Sequence, residues 1–493
     1  MPETKYIAID MGAESGRVML GTLTPRGRGA PPTLELEEWH RFHNTPIVMA
    51  GGLRWNIQQL WSEIVHGVGR AVKAAGGPGN VHGISADSWG VDYILIGKGS
   101  PMLNPPFIYR DPRNTAPFER AMKDVGKEFI FGHTGIQFMA INTLYQLLAE
   151  PRELLDFADG WLTIADYVNW LVAGCPRTLS CEVSMASTTQ LLDVRTRQWS
   201  DPLIERVGLP RRIFPTVVES GTKLGKSELV PGAEVIAGCS HDTACAIAAV
   251  PVEVDAQWAY ISSGTWSLAG MELKQPIVSD RSRDLGFTNE LGASGTTRLL
   301  KNISGLYMLQ QCRSAWKAAG QEMSYAQLAS MGEKAAPLRS LIRPDSAPFG
   351  APGDMPSRIV EYCKQTNQPA PQNVGQFVRC IYESLALLYR KTLSELRELT
   401  GQSIARLHIV GGGSRATLLN QLSADACGVP VIAGPVEATS MGNVLVQANA
   451  LGHISALDIR RIVRESVSAQ TFTPTDERAM QEAFERFLKL PVL

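Results

Sequence analysis

The sequence predicts two α/β domains that arose by duplication. The chain has 493 residues, whereas a single compact core stops growing at roughly 250–300 residues. Each half opens on an apolar strand, a turn of small residues and a returning strand, at residues 7–20 and 258–273. Helical stretches and further strands follow, an order typical of layered α/β domains. We therefore place the boundary near residues 246–254 and divide the chain into domains 1–247 and 248–493.

The spacing of apolar residues assigns the elements of the first half. Alternating or continuous apolar runs are typical of strands, and apolar residues three and four apart are typical of helices. The predicted helix ends before a glycine, a common stop signal. The resulting order is β-β-β-α-β, at YIAID, RVMLGTL, LELEEWHRF, NIQQLWSEIVHGVGRAVKAAG and VHGISAD.

Composition excludes several classes of protein. The 47 basic and 48 acidic residues give a net charge of −1, which is unlike the basic footprint of a nucleic-acid binder. No stretch approaches the ~20 consecutive apolar residues that span a bilayer. The start MPETKYIAID lacks the basic and apolar regions of a secretory signal. We expect a soluble cytoplasmic protein, with no nucleic-acid or membrane partner.

The eight cysteines are expected to be buried thiols. A chain of this length builds its own core, and no secretory signal indicates an oxidising compartment. The sequence has neither a C-x-x-C pair nor H-E-x-x-H, so a zinc site is not predicted.

Two glycine-containing loops are candidate nucleotide sites. GTKLGKS, residues 221–227, has one residue too few between its glycines for a P-loop, and Pro231 with Gly232 argues against the helix that must follow. In LHIVGGGSRATLL, an apolar strand runs into three glycines and then a predicted helix. That arrangement lets an anionic or flat ligand approach the backbone, but it equally fits a tight strand-to-helix turn.

Three further stretches carry polar groups where a strand or helix meets a loop. Asp10 ends an apolar strand at the mouth of a hairpin, with Arg17 beyond the turn. His241 and Asp242 precede a small-residue helix, where Asp242 is either an N-cap or a general base. SADSWGVDY (residues 85–93), with Asp87, Trp89, Gly90 and Asp92, is either a polar loop or a site for a hydroxyl-rich ligand.

Taken together, these motifs resemble the FGGY sugar kinases. The resemblance runs in order from residue 7 to about residue 450, and NTLYQL favours the branch that acts on L-rhamnulose. It implies two duplicated domains of the actin and hexokinase type (ribonuclease H-like) around a deep cleft. Sugar would lie on the first domain and ATP on the second, and the last helices could pack back on the first. The motifs are IAIDMGAESGR, SWGVDY, YRDPRN, GIQF, NTLYQL, SHDTA, YISSGTWSL, LKNISGLYMLQ, LHIVGGG and DACGVPVIAGPVEATSMGN.

The resemblance also implies roles for individual residues. Asp10 would hold Mg²⁺, and the turn Ala13–Arg17 would meet the β- and γ-phosphates. Asp242 would be the catalytic base. The implied ATP contacts are Ala13, Glu14, Ser15, Gly16, Arg17, Thr265, Gln310, Gly412 and Gly413, and the implied sugar contacts are Gly90, His241, Asp242, Thr243 and Asn302.

The implied activity is transfer of phosphate from ATP to the primary, first-carbon hydroxyl of L-rhamnulose, which gives L-rhamnulose 1-phosphate in L-rhamnose catabolism. Such an enzyme mainly positions its reactants and neutralises charge. The alternatives are a kinase for L-fuculose, ribulose, xylulose or another polyol, and, less favoured, a non-catalytic ATP-binding protein of the actin fold. The enzyme would be a monomer or a homodimer.

One residue departs from the pattern of that branch, which usually has a serine where this chain has Glu14. A carboxylate ~6 Å from a phosphate oxygen would be repelled by ~1–3 kcal/mol at an effective dielectric of 20–40. We expect Glu14 to turn outward to solvent or to pair with Arg17. The alternative is that it faces Mg²⁺ through a coordinated water.

Overall fold

The computed structural model describes residues 2–27, 30–49, 51–99, 101–253, 256–351 and 353–493. The chain divides into two compact units. The predicted domains 1–247 and 248–493 differ from these units, because two later stretches belong to the first. The predicted boundary ends at Val254, which lies outside the described residues. Unit 1 comprises Met1–Glu253, Glu272–Leu299 and Ala438–Ser466, and unit 2 comprises Val254–Met271, Leu300–Glu437 and Val467–Leu493.

The elements of the described chain follow in order. The strands are β1 Thr4–Met11, β2 Ser15–Thr24, β3 Thr33–His43, β4 Ile47–Met49, β5 Gly52–Arg54, β6 Val81–Ser88, β7 Tyr93–Gly97, β8 Ala158–Thr163, β9 Ser180–Glu182, β10 Leu192–Asp193, β11 Gln198–Trp199, β12 Thr216–Val218, β13 Thr222–Lys226, β14 Glu234–Ala237, β15 Trp258–Ser263, β16 Trp266–Leu273, β17 Thr288–Leu291, β18 Thr297–Ser304, β19 Arg406–Val410, β20 Val431–Ala433 and β21 Gln470–Phe472. The α-helices are α1 Ile57–Ala74, α2 Thr115–Asp124, α3 Lys127–Thr134, α4 Thr143–Leu148, α5 Arg152–Phe157, α6 Ile164–Val172, α7 Val183–Thr188, α8 Asp201–Arg206, α9 Asp242–Ala248, α10 Asp280–Asp284, α11 Tyr307–Ala318, α12 Tyr325–Lys334, α13 Met355–Gln365, α14 Val374–Thr400, α15 Thr417–Cys427, α16 Ala438–Ala450, α17 Asp458–Ser466 and α18 Glu477–Leu488.

The central sheet of unit 1 is mixed and has the order β13-β14-β6-β1-β2-β3. Strands β1 and β2 form an antiparallel hairpin, and β1, β6 and β14 run parallel. Because side chains alternate across a strand, Ile7 and Ile9 face one side, where they share a hydrophobic core with Ile64 of α1. Asp10 faces the other side, where its carboxylate meets Ser440 of α16. The sheet therefore lies between an apolar helical layer and a layer that brings polar groups to the end of β1.

Over the described residues, the second sheet has seven strands in the order β17-β18-β16-β15-β19-β20-β21, and from β18 to β21 it repeats this topology. The hairpin β15–β16 is antiparallel, β15, β19 and β20 run parallel, and β21 is antiparallel to β20. In unit 1 the hairpin is likewise followed by two parallel strands and one antiparallel strand. The long helix α14 packs on α12, α15 and α18. The predicted duplicated α/β fold is confirmed.

The structure corrects some local predictions. The three glycines are not followed directly by a helix, because Gly412–Arg415 forms a 3-10 turn and α15 begins only at Thr417. GTKLGKS contains the whole of strand β13, in agreement with its rejection as a P-loop. Of the eight free cysteines, seven are buried as predicted, but Cys175 is exposed. Within the part of the chain described, no helix is both long and apolar enough to cross a membrane.

Gly442 allows α16 to approach α9. A Cβ built on Gly442 would lie 1.9 Å from the backbone oxygen of Cys245 and 2.6 Å from its carbonyl carbon. These are backbone atoms, so the two helices themselves would have to separate. Since α9 carries Asp242 and α16 carries Ser440, this close contact sets how two polar groups are placed.

We predict that Gly442→Ala lowers the free energy of unfolding by ~1–3 kcal/mol, as overpacking does. Gly69→Ala is the matched control, because Gly69 lies in α1 with no atom within 4 Å of an added Cβ. That control should raise stability by roughly 0.5–1 kcal/mol through helix propensity. Urea denaturation measures both, and equal effects of the two substitutions would contradict the assigned contact.

Candidate active site

The β1–β2 hairpin places an ion pair at its open end. Asp10 and Arg17 are register partners, and Arg17 Nη2 donates to Asp10 Oδ2 over 2.6 Å. The turn itself is shorter than predicted. It contains Gly12 to Glu14 and is closed by Gly12 N–H donating to the Ser15 oxygen over 2.9 Å, so Ser15, Gly16 and Arg17 belong to strand β2.

Asp87 lies beside Asp10 on the neighbouring parallel strand, in register with it. Its side chain is fully buried. Burial raises the pKa of Asp87 well above its usual value, and the negative charge of Asp10 adds to this effect. Asn443 Nδ2 donates to Asp87 Oδ2 over 2.6 Å, whereas Oδ1 has no hydrogen-bond partner among the described residues. Two carboxylates, one with an unsatisfied oxygen, thus stand side by side at the strand ends.

Helix α16 supplies donors to these strand ends. Ser440 Oγ donates to Asp10 Oδ2 over 2.6 Å, and Gln447 Nε2 donates to the Ile7 oxygen over 3.0 Å and to Asn443 Oδ1 over 2.7 Å. Ser440, Asn443 and Gln447 recur three and four residues apart and so share one helix face. Ser440 and Asn443 lie within the motif DACGVPVIAGPVEATSMGN, but none of the three was predicted as a site residue, although polar residues at helical spacing were a visible signal.

Asp242 begins helix α9, and His241 is its N-cap residue. Asp242 Oδ1 accepts from its neighbour Thr243, from N–H over 2.5 Å and from Oγ1 over 3.1 Å. About a third of the Asp242 side chain is exposed, 32%, so the carboxylate remains reachable. The surrounding protein raises its pKa by desolvation; His241 opposes this rise and Asp10 adds to it. A reachable carboxylate with a raised pKa is the character expected of a general base.

A buried polar network holds the loop that enters α9. Ser240 N–H donates to Glu182 Oε2 over 3.0 Å, and Ser240 Oγ donates to Asp166 Oδ1 over 3.2 Å. His241 N–H donates to Ser184 Oγ over 3.2 Å. Burial raises the pKa of Glu182, and it raises that of Asp166 to about 7. These hydrogen bonds therefore fix the backbone that precedes Asp242.

Within SADSWGVDY, the carboxylate of Asp92 is bonded by protein groups that position the loop. Asp92 is fully buried. Its Oδ2 accepts from the indole N–H groups of Trp55 and Trp89, over 2.6 and 3.0 Å, and from the N–H of Tyr109 over 3.3 Å. Its Oδ1 accepts from Gln146 Nε2 over 2.9 Å. Four protein donors occupy this carboxylate, which favours a structural role for Asp92 in the loop over direct contact with a ligand.

Gln146 connects two of the sequence motifs. It belongs to NTLYQL, and besides Asp92 it bonds the Val91 oxygen over 3.2 Å. Thr143 of the same motif donates to the Val91 oxygen over 2.6 Å, and Val91 has a positive φ of 69°. Gly90, the predicted sugar contact, is half-buried, and an added Cβ would lie 3.0 Å from Thr188 Oγ1. NTLYQL therefore shapes the backbone at Gly90 and Val91.

The remaining predicted ATP residues, and Asn302, lie in unit 2. Thr265 is in the β15–β16 turn, Asn302 is on β18 and Gln310 is on α11; all three are half-buried. Gly412 is exposed, and an added Cβ there meets nothing within 4 Å. Gly413 is buried, and its Cβ would lie 2.0 Å from Ser263 Oγ. The backbone of Gly412 is thus open to a ligand, whereas Gly413 is needed for packing against β15.

Comparison with known proteins identifies the family. The N-terminal domain of the FGGY family of carbohydrate kinases matches residues 6–250, and its C-terminal domain matches residues 259–451. The chain belongs to the FGGY family of carbohydrate kinases. It is 40% identical to "Rhamnulokinase" of Bacteroides thetaiotaomicron over 493 residues, 98% of each chain. It is 38% identical to "Rhamnulokinase" of Bacillus subtilis, over 96% of each chain.

Solved structures of FGGY kinases share the fold. A ligand-bound xylulose kinase from Lactobacillus acidophilus superposes with a TM-score of 0.79 at 15% identity, covering 99% of this chain and 97% of the other. A glycerol kinase from Plasmodium falciparum with ADP gives 0.78 at 14% identity, with the same coverage. The family resemblance and the two-domain α/β kinase fold predicted from sequence are confirmed. ATP is the co-substrate that such kinases use.

We predict that stability falls as the pH rises from 5 to 8. Folded Asp166 keeps its proton up to about pH 7, whereas an unfolded aspartic acid loses it near pH ~4. Between those values the folded state binds more protons, so the free energy of unfolding decreases with rising pH. Buried Asp92, with a pKa raised by burial to about 6, acts in the same direction.

Asp166→Asn should make this decrease smaller by at least ~1 kcal/mol, measured by urea denaturation at pH 5, 6, 7 and 8. The exposed Asp159→Asn is the matched control and should follow the wild-type curve. A wild-type midpoint that rises with pH would show that Asp166 is ionised in the folded protein.

Proposed function

We propose that this FGGY kinase phosphorylates L-rhamnulose at its primary, first-carbon hydroxyl with ATP and Mg²⁺. The observation that carries the proposal is the grouping in unit 1 of a reachable carboxylate, Asp242, with the Asp10–Arg17 ion pair of the hairpin. The choice of sugar is supported by full-length similarity to rhamnulokinases at 36–40% identity. L-Rhamnulose 1-phosphate and ADP would be the products.

Asp242 would take the proton of the attacking hydroxyl. Its pKa is raised mainly by desolvation, which brings a carboxylate closer to the operating pH and makes it a better proton acceptor. Its Oδ1 is held by Thr243, and the network of Asp166 and Glu182 fixes the preceding backbone. The sugar would lie near Gly90, His241 and Thr243, and Asn302 is a further proposed sugar contact.

The strand ends of β1 and β6 fit a divalent cation. Asp10 and Asp87 are register partners whose charges repel, and Asp87 Oδ1 is an unsatisfied buried oxygen. Mg²⁺ binds through one or two carboxylates while it keeps several waters. Asp10 would hold it and Asp87 would support it; the ion would neutralise phosphate charge. No cluster of three or more acidic, histidine or cysteine ligands occurs among the described residues.

Phosphate contacts are assigned to the hairpin, from Ala13 to Arg17. Arg17 carries the positive charge, and small residues allow backbone N–H groups to approach an anion. In unit 2, Thr265, Gln310 and Gly412 are proposed ATP contacts, and Gly412 has the open backbone that this role requires. Gly413 would support that turn through its packing on Ser263. A kinase that draws on cellular ATP is expected to act in the cytoplasm.

The rival substrates are L-fuculose, ribulose and xylulose, because sugars that differ at one hydroxyl are separated by a few hydrogen bonds. A coupled ADP-release assay over these ketoses should give the highest kcat/KM for L-rhamnulose. Asp242→Asn should lower kcat by roughly 10²–10⁴-fold, since an amide keeps the shape but cannot take the proton.

Asp159→Asn serves as the control for that assay and should keep wild-type kcat. A higher kcat/KM for L-fuculose or xylulose would refute the sugar assignment while leaving the base in place. More than about a tenth of wild-type kcat in Asp242→Asn would remove Asp242 from the base role.

Glu14 is exposed in the structure, which supports its predicted outward orientation, and the Arg17 guanidinium bonds Asp10. We predict that Glu14→Ser leaves kcat within about threefold and changes the KM for ATP by less than about tenfold, because Asp10 rather than Glu14 is the assigned metal residue. Steady-state assays at several Mg²⁺ concentrations test this. If kcat collapsed and recovered with added Mg²⁺, Glu14 would belong to the metal site.

A further inference from the structure

A buried charged pair lies behind His241, on the side away from Asp242. Arg298 of β18 is 0% exposed, Glu290 of β17 is 5% exposed and His241 is 7% exposed. Arg298 Nη2 lies 3.1 Å from Glu290 Oε2 and 3.2 Å from His241 Nδ1. The other ring nitrogen, His241 Nε2, lies 3.4 Å from Asp242 Oδ1. One imidazole thus connects the proposed base to two charged residues that no sequence motif singled out.

The contact with Arg298 decides which ring nitrogen of His241 carries the proton. A guanidinium nitrogen donates and never accepts, so His241 Nδ1 must be the acceptor in its contact with Arg298. In a neutral imidazole the proton then lies on Nε2, the nitrogen that faces Asp242. Glu290 Oε2, 3.3 Å from Nδ1, would favour the opposite tautomer. Arg298 lies close to both Glu290 and His241, and its charge neutralises the Glu290 carboxylate, which weakens this opposing preference.

Arg298 and Glu290 form a buried ion pair. Burial alone would raise the pKa of Glu290, but the charge of Arg298 is the largest opposing effect, and the pKa is lowered. Glu290 is therefore an ionised counter-ion. Arg298 also donates to the Leu291 oxygen from Nε over 3.4 Å and from Nη2 over 3.2 Å. These contacts hold the Arg298 guanidinium beside His241.

We propose that Arg298 is a positioning residue for the phosphoryl transfer: it holds His241 as the neutral Nε2–H tautomer, which keeps the Asp242 carboxylate ionised and oriented, and Glu290 holds Arg298. The proposal rests on the proposed role of Asp242 as base. The opposite tautomer would turn a lone pair toward Asp242, which would have to be protonated to meet it. In the reaction the hydroxyl proton moves to Asp242, and His241 keeps its own proton throughout.

Three elements of the described chain bring charged side chains to His241. Asp242 comes from α9, Glu290 from β17 and Arg298 from β18, while Asp10 of β1 acts on Asp242 through its charge. From α7, Ser184 presents only a hydroxyl, to the His241 backbone. If Arg298 lost its charge, Glu290 would be left without a cation, and the imidazole would take up a proton to supply one.

The first test reads the tautomer in the full-length protein without substrate. Nitrogen-15 NMR of histidine-labelled protein distinguishes a bare ring nitrogen from a protonated one, and His241→Gln identifies the His241 signals among the eight histidines. Bare Nδ1 with protonated Nε2 at neutral pH is expected. Protonated Nδ1, with Nε2 bare or with both protonated, would overturn the proposal. Because no substrate is present, this result is independent of whether L-rhamnulose is the substrate.

The second test uses variants. Arg298→Met should protonate both ring nitrogens, lower kcat at least ~10-fold, as a wrongly protonated histidine does beside a catalytic group, and move the acid limb of the kcat–pH profile to lower pH. Arg298→Lys, which keeps a cation and a donor, should recover most of kcat. Glu290→Gln should retain the Nε2–H tautomer.

The matched control is Arg343→Met, which removes another buried arginine, one paired with Asp345 in unit 2. It should change neither the tautomer nor the pH profile. Wild-type kcat and tautomer in Arg298→Met would refute the proposal. If that variant failed to fold, the wild-type spectrum and Arg298→Lys would decide. Failure of every ketose in the activity assay would refute the proposed function instead.

Discussion

Unit 1 depends on holding the carboxylates of Asp10, Asp87 and Asp242 close together, with Asp10 and Asp87 buried. Asp87 is fully buried, and both Asp10 and Asp242 raise its pKa further. Such an arrangement persists only where neighbouring groups offset the repulsion. Arg17 and Ser440 bond Asp10, and Asn443 bonds Asp87. The hairpin, β6, α9 and α16 must therefore come together as a set, and a divalent ion with phosphate would complete the charge balance that they begin.

Part of the fold and of the candidate site could be predicted from short stretches of sequence. The hairpin with Asp10 at its mouth, the helix that starts at Asp242 and the strand before the three glycines are all encoded within a few residues, by apolar spacing and by small residues at turns. The repeat of one sheet topology in the two units was visible as a repeated strand–turn–strand pattern. Turn lengths were less readable, since neither the 12–14 turn nor the 3-10 turn at 412–415 follows from spacing alone.

Two aspartates of one loop show why the rest could not be predicted. Asp87 and Asp92 both end or follow strand β6 and look alike in sequence. Asp92 is surrounded by donors from Trp55, Tyr109 and Gln146, up to 54 residues away, and is fully satisfied. Asp87 receives Asn443 from 356 residues away and keeps one oxygen unsatisfied. Only the packing of distant segments decides which carboxylate anchors the loop and which keeps an oxygen without a partner among the described residues.

The supporting groups of the site come from the two late stretches that join unit 1. Residues 272–299 bring Glu290 and Arg298 to His241, and residues 438–466 bring Ser440 and Asn443 to Asp10 and Asp87. The first 253 residues alone contain the hairpin and the proposed base, yet they would leave His241 without Arg298 and Asp87 without its donor Asn443. The duplicated half of the chain thus contributes more than a second fold. Its crossings back into unit 1 supply charges and hydrogen bonds to the imidazole of His241 and to the carboxylates of Asp10 and Asp87.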